Sequence, residues 1–191
     1  VPGLRALAGP GDRFLFLATR TNRSRQTAET LRGIIAPDTP EVQPAWGLRN
    51  PDLYLGGARV EMESTPEFLA SQCEHIPMTP EAVLSVPFFH GFLTAPDRIE
   101  YWLTHEDPPG ESASAVAKRV LQFAASFRNS NADEHLVVVC VTHSPVMRAI
   151  LTKGLELVDP GEPGWVEAIV IQAEDDGMRF RFRDKSGAVP S

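Results

Sequence analysis

The sequence predicts an α/β domain of three layers, α/β/α, built on a mainly parallel central sheet. One observation is the apolar, largely β-branched run at residues 137–141, which is typical of a strand covered on both faces in a parallel sheet. Another is the polar break after this run, where Ser144 suits the cap of a helix and Pro145 its first position. A third is the apolar run at residues 13–19, which predicts another strand and is also followed by a helical pattern.

The other regular elements follow from spacing and from helix-breaking residues. Residues 24–35 predict a helix that ends before Pro37, and residues 41–46 predict a short strand. The clearest helix is predicted over residues 112–127, because its apolar side chains recur on one face. The members of that face are Ala113, Val116, Ala117, Val120, Leu121, Ala124 and Phe127.

Two segments near the carboxyl end predict a β-hairpin. Residues 165–172 have the composition of a strand, and residues 174–177 are a turn signal. Residues 178–183 alternate strictly between apolar and charged side chains, which predicts a half-exposed edge strand. Such a strand either pairs with a second copy of the chain, giving a homodimer, or faces water.

The stretch from residue 47 to residue 110 differs from the rest because it is rich in proline, glycine and aromatic residues. Helix starts are indicated at Thr65-Pro66 and at Thr79-Pro80, and residues 97–103 predict a further short helix. We interpret 47–110 as an insertion over the sheet edge, a lid or specificity region within a single domain of residues 1–191.

The net charge, the apolar runs and the cysteines of the chain argue against several classes of function. The net charge of −7 over 191 residues argues against a general nucleic-acid or anionic-membrane binder. No apolar run approaches the ~18 residues of a membrane span. Cys73 and Cys140 are far apart, and Cys140 falls in the apolar strand, where a core thiol is expected. A disulfide framework is therefore not expected, which favours a reducing, cytoplasmic location.

Polar residues follow the two predicted strands, and they are the candidate functional residues. Arg20 and Arg23 come after the first strand, and His143 comes after the second. Because parallel strands end at one edge of a sheet, these side chains are expected to lie together. Two arginines, a histidine and helix N-termini suit the binding of a phosphate-like oxyanion. The alternatives are surface arginines and a histidine with a structural role.

Three segments resemble motifs of the histidine phosphatase superfamily, the phosphoglycerate mutase-like fold. Residues 19–31, Thr-Arg-Thr-Asn-Arg-Ser-Arg-Gln-Thr-Ala-Glu-Thr-Leu, resemble the motif Ser-Pro-Leu-x-Arg-Ala-x-Gln-Thr-Ala-Glu-x-Leu. Residues 141–151, Val-Thr-His-Ser-Pro-Val-Met-Arg-Ala-Ile-Leu, resemble the late motif Val-Thr-His-Gly-Gly-Val-x-Arg-x-Leu. Residues 109–112, Pro-Gly-Glu-Ser, are similar to the segment that opens a long helix in many members. The three segments stand in the family's order.

The resemblance implies a mechanism and two residue roles. A histidine attacks phosphorus, and water then hydrolyses the phosphohistidine. Arg23 matches the arginine that holds the phosphoryl oxygens, and His143 matches the second histidine, which donates a hydrogen bond to the phosphoryl group. The Arg-His-Gly motif that supplies the nucleophile is absent from these 191 residues. We expect it on a strand upstream of Val1, with a second chain or a true loss as the alternatives.

Three further residues receive expected roles. Asp52 is the first choice for the acid that protonates the leaving oxygen, and Glu63 is the second choice. The alternative is that Asn-Pro-Asp at residues 50–52 is only a turn. Glu111 and Ser144 are expected to help bind the substrate, although the position of Glu111 also suits a helix start.

The sequence therefore predicts a metal-independent phosphatase that hydrolyses a small phosphomonoester and needs no cofactor. The alternative is a non-catalytic phosphatase-like domain that binds a phosphorylated ligand or a protein partner. The nucleophilic histidine distinguishes the two.

Overall fold

A computed structural model describes residue 9 and residues 11–62, 65–128 and 135–190. The elements of the first part are β1 (Arg13–Ala18), α1 (Asn22–Ile35), β2 (Gln43–Pro44), a 3₁₀ turn (Trp46–Leu48), β3 (Leu53–Leu55), β4 (Ala58–Val60), α2 (Pro66–Ser71), α3 (Pro80–Ser85), α4 (Pro87–Thr94) and α5 (Arg98–Thr104). The later elements are α6 (Ala113–Ala125), β5 (Leu136–Val141), α7 (Ser144–Ala149) with a π-helical turn (Ile150–Gly154), β6 (Val170–Glu174), β7 (Gly177–Phe182) and β8 (Lys185–Ala188).

The chain divides into two compact units. Unit 1 comprises Val1–Arg49, Val120–Ser144 and Pro163–Ser191, and unit 2 comprises Asn50–Arg119 and Pro145–Glu162. Unit 2 takes in most of the predicted insertion. The assignment of residues 1–191 to a single domain stays a prediction.

A parallel sheet with the strand order β2-β1-β5 organises unit 1. β1 pairs with β5 along its length, and Ala18 is the register partner of Val141. The sheet packs against α1 through a core of Phe16, Leu31 and Val139. The predicted α/β class with a parallel sheet is confirmed. The register also confirms that the residues following β1 and β5 emerge at the same edge.

The residues of β5 are less buried than the sequence predicts. Among its residues only Val139 is buried. Cys140 is exposed as a residue, although burial around its thiol raises the pKa of Cys140 to about 12, so the expectation of a core thiol at Cys140 is not confirmed. The topology explains the difference. Among the described strands, β5 pairs with β1 alone, so one edge of this apolar strand has no neighbour.

The predicted carboxyl-terminal β-hairpin is confirmed as β6–β7, and a third antiparallel strand, β8, extends it to the sheet β6-β7-β8. β7 is therefore central, not the predicted edge strand, because β8 pairs with it after a turn at Arg183 with φ 52°. β6 begins at Val170 rather than at residue 165. Val166 adopts φ 57°, which is incompatible with a strand, and Trp165 is fully exposed.

Unit 2 contains the short helices α2 to α5. The observed starts of α2, α3 and α5 agree with the starts that the sequence predicts. A β3–β4 hairpin precedes them, closed by Gly56 and Gly57 at φ 55° and 76°, the conformation that a tight two-residue hairpin requires. Trp102 is completely buried in this unit, and its Nε1 donates to the Glu111 carbonyl at 3.0 Å. Among the described residues, no helix is long and apolar enough to cross a bilayer.

Candidate functional site

The candidate site begins where β1 runs into α1. Thr21 caps this helix, because its Oγ1 accepts a hydrogen bond from the Ser24 amide at 3.4 Å. Arg20 lies before the cap and Arg23 lies in the first turn, which carries no acidic residue. The N-terminal end of this helix of 14 residues is therefore positively charged in both its dipole and its side chains.

His143 meets this helix end directly. It follows β5, is half-buried, and shares a hydrogen bond of 3.1 Å between its Nε2 and Thr21 Oγ1. The two residues are 122 positions apart in the chain. This contact confirms that the ends of the two strands meet, and it directs Nε2 toward the N-terminus of α1.

A cluster of hydroxyl groups lies beneath this contact. Thr19 and Ser24 are each 4% exposed, and their hydroxyl groups are hydrogen-bonded to each other. Thr21 bonds to both, with an Oγ1–Oγ1 distance of 3.2 Å to Thr19. The sequence pattern does not predict this hydroxyl cluster, because it places the start of the helix at Ser24. The signal available was Thr21, a good N-cap residue three positions before Ser24.

The two arginines are exposed at this edge. The Arg23 side chain makes no hydrogen bond or ion pair with any described residue. Arg20 lies over the Trp46 ring, with its guanidinium carbon 4.3 Å from the ring centroid. In the described part of the chain, no three His, Cys, Asp or Glu side chains come together as metal ligands. Arg20 and Arg23 are thus the arginines next to Thr21, the capping residue that His143 contacts.

The remaining predicted site residues lie elsewhere in the chain. Ser144 is the first residue of α7, next to His143. Asp52 and Glu111 lie in unit 2, where the Asp52 amide donates to Glu111 Oε2 at 2.9 Å. The alternative acid, Glu63, falls outside the described residues.

The contacts of the two carboxylates are those of ion pairs. The Asp52 carboxylate bonds to Arg59, and Glu111 receives two hydrogen bonds from Arg119, at 3.0 and 3.1 Å. Burial acts to lower the pKa of Arg59, but its hydrogen bonds and charge interactions with Asp52 and Glu61 outweigh burial and raise that pKa. An arginine partner favours an ionised carboxyl group, whereas a general acid must carry a proton. The role of Asp52 as the acid stays a prediction, and its local contacts do not support it.

Replacing Thr21 with valine is expected to affect both α1 and His143. Loss of the cap lowers the free energy of unfolding by about 1 kcal/mol. Loss of the hydroxyl group also changes the hydrogen bonding of His143 Nε2, which imidazole nitrogen NMR shifts report. Thr21→Ser retains both properties and is the matched variant. A second control is Thr27→Val, which removes only a hydroxyl group that donates to the Arg23 carbonyl at 2.9 Å. Unchanged stability and His143 shifts in Thr21→Val would contradict the cap and the contact.

Comparisons with known proteins agree with this architecture. The model of the histidine phosphatase superfamily (branch 1) matches residues 92–167, which include Glu111 and His143 but not Arg23. The solved structure of Bacillus stearothermophilus YhfR is 16% identical with a TM-score of 0.51, over 94% of this chain and 76% of that chain. A structure named "Mycobacterial hydrolase 2" is 17% identical with a TM-score of 0.55, over 98% of this chain and 76% of that chain. No curated protein matches the sequence. Residues 92–167 are thus similar to the histidine phosphatase superfamily, and the fold of the chain is similar to the folds of these two solved structures.

Proposed function

We propose that this protein is a phosphatase that hydrolyses a small phosphomonoester, without metal or cofactor, through a phosphohistidine. The observation that supports it most directly is the contact of His143 with Thr21 at the N-terminus of α1. An anion held by the first amides of α1 would lie beside Nε2 of His143 and within the reach of Arg23. Charge on a transferring phosphoryl group is spread over its oxygens, and positioned cationic donors stabilise it.

The proposed reaction has two steps. A histidine nitrogen forms a bond to phosphorus while the bond to the leaving oxygen breaks, and an acid gives that oxygen its proton. Water then attacks phosphorus, the P–N bond breaks, and inorganic phosphate leaves. Arg23 and His143 hold the phosphoryl oxygens in both steps.

The proposed reaction also needs an attacking histidine, and neither histidine of unit 1 fits that role. The sequence of unit 1 contains two histidines, and His135 lies at the opposite end of β5 from His143. Among the described strands, β5 is an apolar and partly exposed strand that pairs along one edge, and such a strand favours pairing with a further strand. We propose that this further strand carries the nucleophile to the end of β5 at which His143 lies.

The lack of a second histidine at this edge in unit 1 favours one other candidate, a domain that binds a phosphorylated ligand without turnover. In both candidate functions Arg23 and His143 bind the phosphoryl group, but only the phosphatase hydrolyses the ester. The proposal includes a cytoplasmic location for the protein, because small phosphorylated substrates would be available there.

Turnover of p-nitrophenyl phosphate by the full-length protein separates the two. Hydrolysis, with label from the phosphoryl group retained on the protein in an acid-labile, alkali-stable form, is the expected result. Binding of inorganic phosphate in calorimetry without any turnover would instead support the binding domain. If the protein neither hydrolyses the ester nor binds phosphate, both proposals are wrong.

A further inference from the structure

Trp46 is an exposed indole on a turn that is held firmly in place. The Ala45 amide donates to the Ala18 carbonyl at 2.8 Å, and Thr142 Oγ1 donates to the Leu48 carbonyl at 2.6 Å. The turn is thus tied to the end of β1 and to the residue before His143. Trp46 is nevertheless 60% exposed, whereas Leu48, two residues later, is 2% exposed.

Close packing beneath the turn adds to this restraint. A Cβ atom on Gly47 would lie 2.7 Å from a ring carbon of Phe123, so the backbone approaches the α6 side chain as closely as only glycine permits. The Arg49 guanidinium also donates to the Trp46 carbonyl at 3.2 Å. The indole is therefore presented at the edge of the sheet by a fixed backbone and not by a mobile loop.

Arg20 lies over this indole, and in sequence it adjoins the proposed phosphoryl site. Its guanidinium carbon is 4.3 Å from the centroid of the Trp46 ring. Stacking fixes the plane of a guanidinium group and leaves the N–H donors at its rim available. Arg20 adjoins Thr21, which contacts His143, so this second cation lies next to the residues that would hold the phosphoryl group.

We propose that Arg20 and Trp46 form an oxyanion subsite for the leaving group. The subsite selects phosphomonoesters that carry a second anionic group, a carboxylate or a phosphate, in addition to the reacting one. A planar guanidinium pairs with either oxyanion through two hydrogen bonds. This inference rests on the proposed function, because it takes Arg23 and His143 as the site of the first phosphoryl group.

Calorimetry with non-hydrolysable phosphonates tests the subsite on the full-length protein. The ligands are phenylphosphonate, 4-phosphonobenzoate and benzene-1,4-diphosphonate, which differ in the group opposite the first phosphonate. We expect the second and third ligands to bind about tenfold more tightly than the first, the effect of a charged hydrogen-bonded pair at an exposed site. The ligand with the larger gain identifies the preferred oxyanion.

Variants locate the effect. In Arg20→Ala the tenfold preference is expected to disappear. In Trp46→Leu, where Arg20 keeps its charge but loses its support, the preference falls about threefold. Arg25→Ala is the matched control, because Arg25 is an exposed arginine five positions after Arg20, inside α1, where its Nε lies 3.7 Å from Glu29 Oε1. It should keep the full preference.

The outcomes also separate this proposal from the one on which it rests. Binding of phenylphosphonate that is lost in Arg23→Ala, without any preference for a second anion, would overturn the subsite alone. A preference that survives in Arg20→Ala would overturn it as well. If none of the ligands binds, both the subsite and the proposed function are wrong.

Discussion

Replacing Arg23 with alanine is expected to lower kcat/KM for p-nitrophenyl phosphate by about 10²–10³-fold, comparable to the loss of one preorganised donor to a developing anion. Arg23 lies in the first turn of α1, where the helix amides and the His143 contact with Thr21 converge. The guanidinium group supplies two parallel donors to phosphoryl oxygens, which an ammonium group cannot do. Arg23→Lys should therefore recover only part of the loss.

His143→Ala is expected to show a loss of the same order, because in the proposed function its imidazole donates a hydrogen bond to the same phosphoryl group. The matched control is Arg25→Ala, which removes one positive charge from the same helix at an exposed position. Steady-state rates at fixed ionic strength, with circular dichroism to verify folding, measure the effect. If Arg23→Ala and His143→Ala both retain full turnover, this end of α1 is not the phosphoryl site.

The meeting of the segments that follow β1 and β5 is the part of the candidate site that the sequence predicts correctly. Each residue follows an apolar strand, and local patterns are sufficient to recognise those strands. The rule that parallel strands end at a common edge then brings the two residues together. The pairing of Ala18 with Val141 and the contact of Thr21 with His143 agree with that expectation.

Residues whose roles depend on distant backbone contacts were not predictable in this way. Trp46 is held by hydrogen bonds that involve Ala18 and Thr142, and the Thr142–Leu48 bond spans 94 positions of the chain. Likewise, the Asn-Pro-Asp turn does not reveal that Asp52 faces Arg59. That partner results from the β3–β4 hairpin, in which Tyr54 is the register partner of Arg59.

The strand errors have a local physical cause. The composition of residues 165–172 predicts one strand, but the positive φ of Val166 prevents extended pairing until Val170. β8 was missed because the turn before it is formed by Arg183 and Asp184, without the glycine or asparagine that signals a tight turn. Alternation at residues 178–183 correctly predicts a strand, yet it does not tell an edge strand from a central one.

Arg148 is a buried arginine of unit 2 that forms an ion-pair cluster with the partly exposed carboxylates of Asp97 and Asp159. Its side chain is 2% exposed, and its Nε donates to Asp159 at 3.0 Å while its Nη1 donates to Asp97 at 2.9 Å. Asp97 also caps α5, because it accepts the Glu100 amide at 2.9 Å. The Arg148 hydrogen bond is the main cause that holds the pKa of Asp97 below its ordinary value of 3.8. The cluster thus joins α7, the start of α5 and the segment around Asp159.

Replacing Arg148 with alanine is expected to lower the free energy of unfolding by about 3 kcal/mol, because it leaves two carboxylates without their buried partner. The triple variant Arg148→Met, Asp97→Asn, Asp159→Asn removes all three charges and should recover much of this loss. Urea unfolding at pH 7 measures both effects. Equal stability of Arg148→Ala and the parent chain would show that the cluster does not stabilise the fold.

The same cluster predicts the direction of a pH dependence. Since the folded-state pKa of Asp97 is lowered, its contribution to stability is complete above the ordinary aspartate value of 3.8 and is lost as the pH falls through the folded-state value. The parent chain should therefore lose stability as the pH falls below 3.8 and through the folded-state value, and Asp97→Asn should lose less over this interval. The difference between the two curves isolates Asp97, because all other carboxyl groups are shared. A parallel decline of the two curves would mean that Arg148 does not stabilise the ionised form of Asp97.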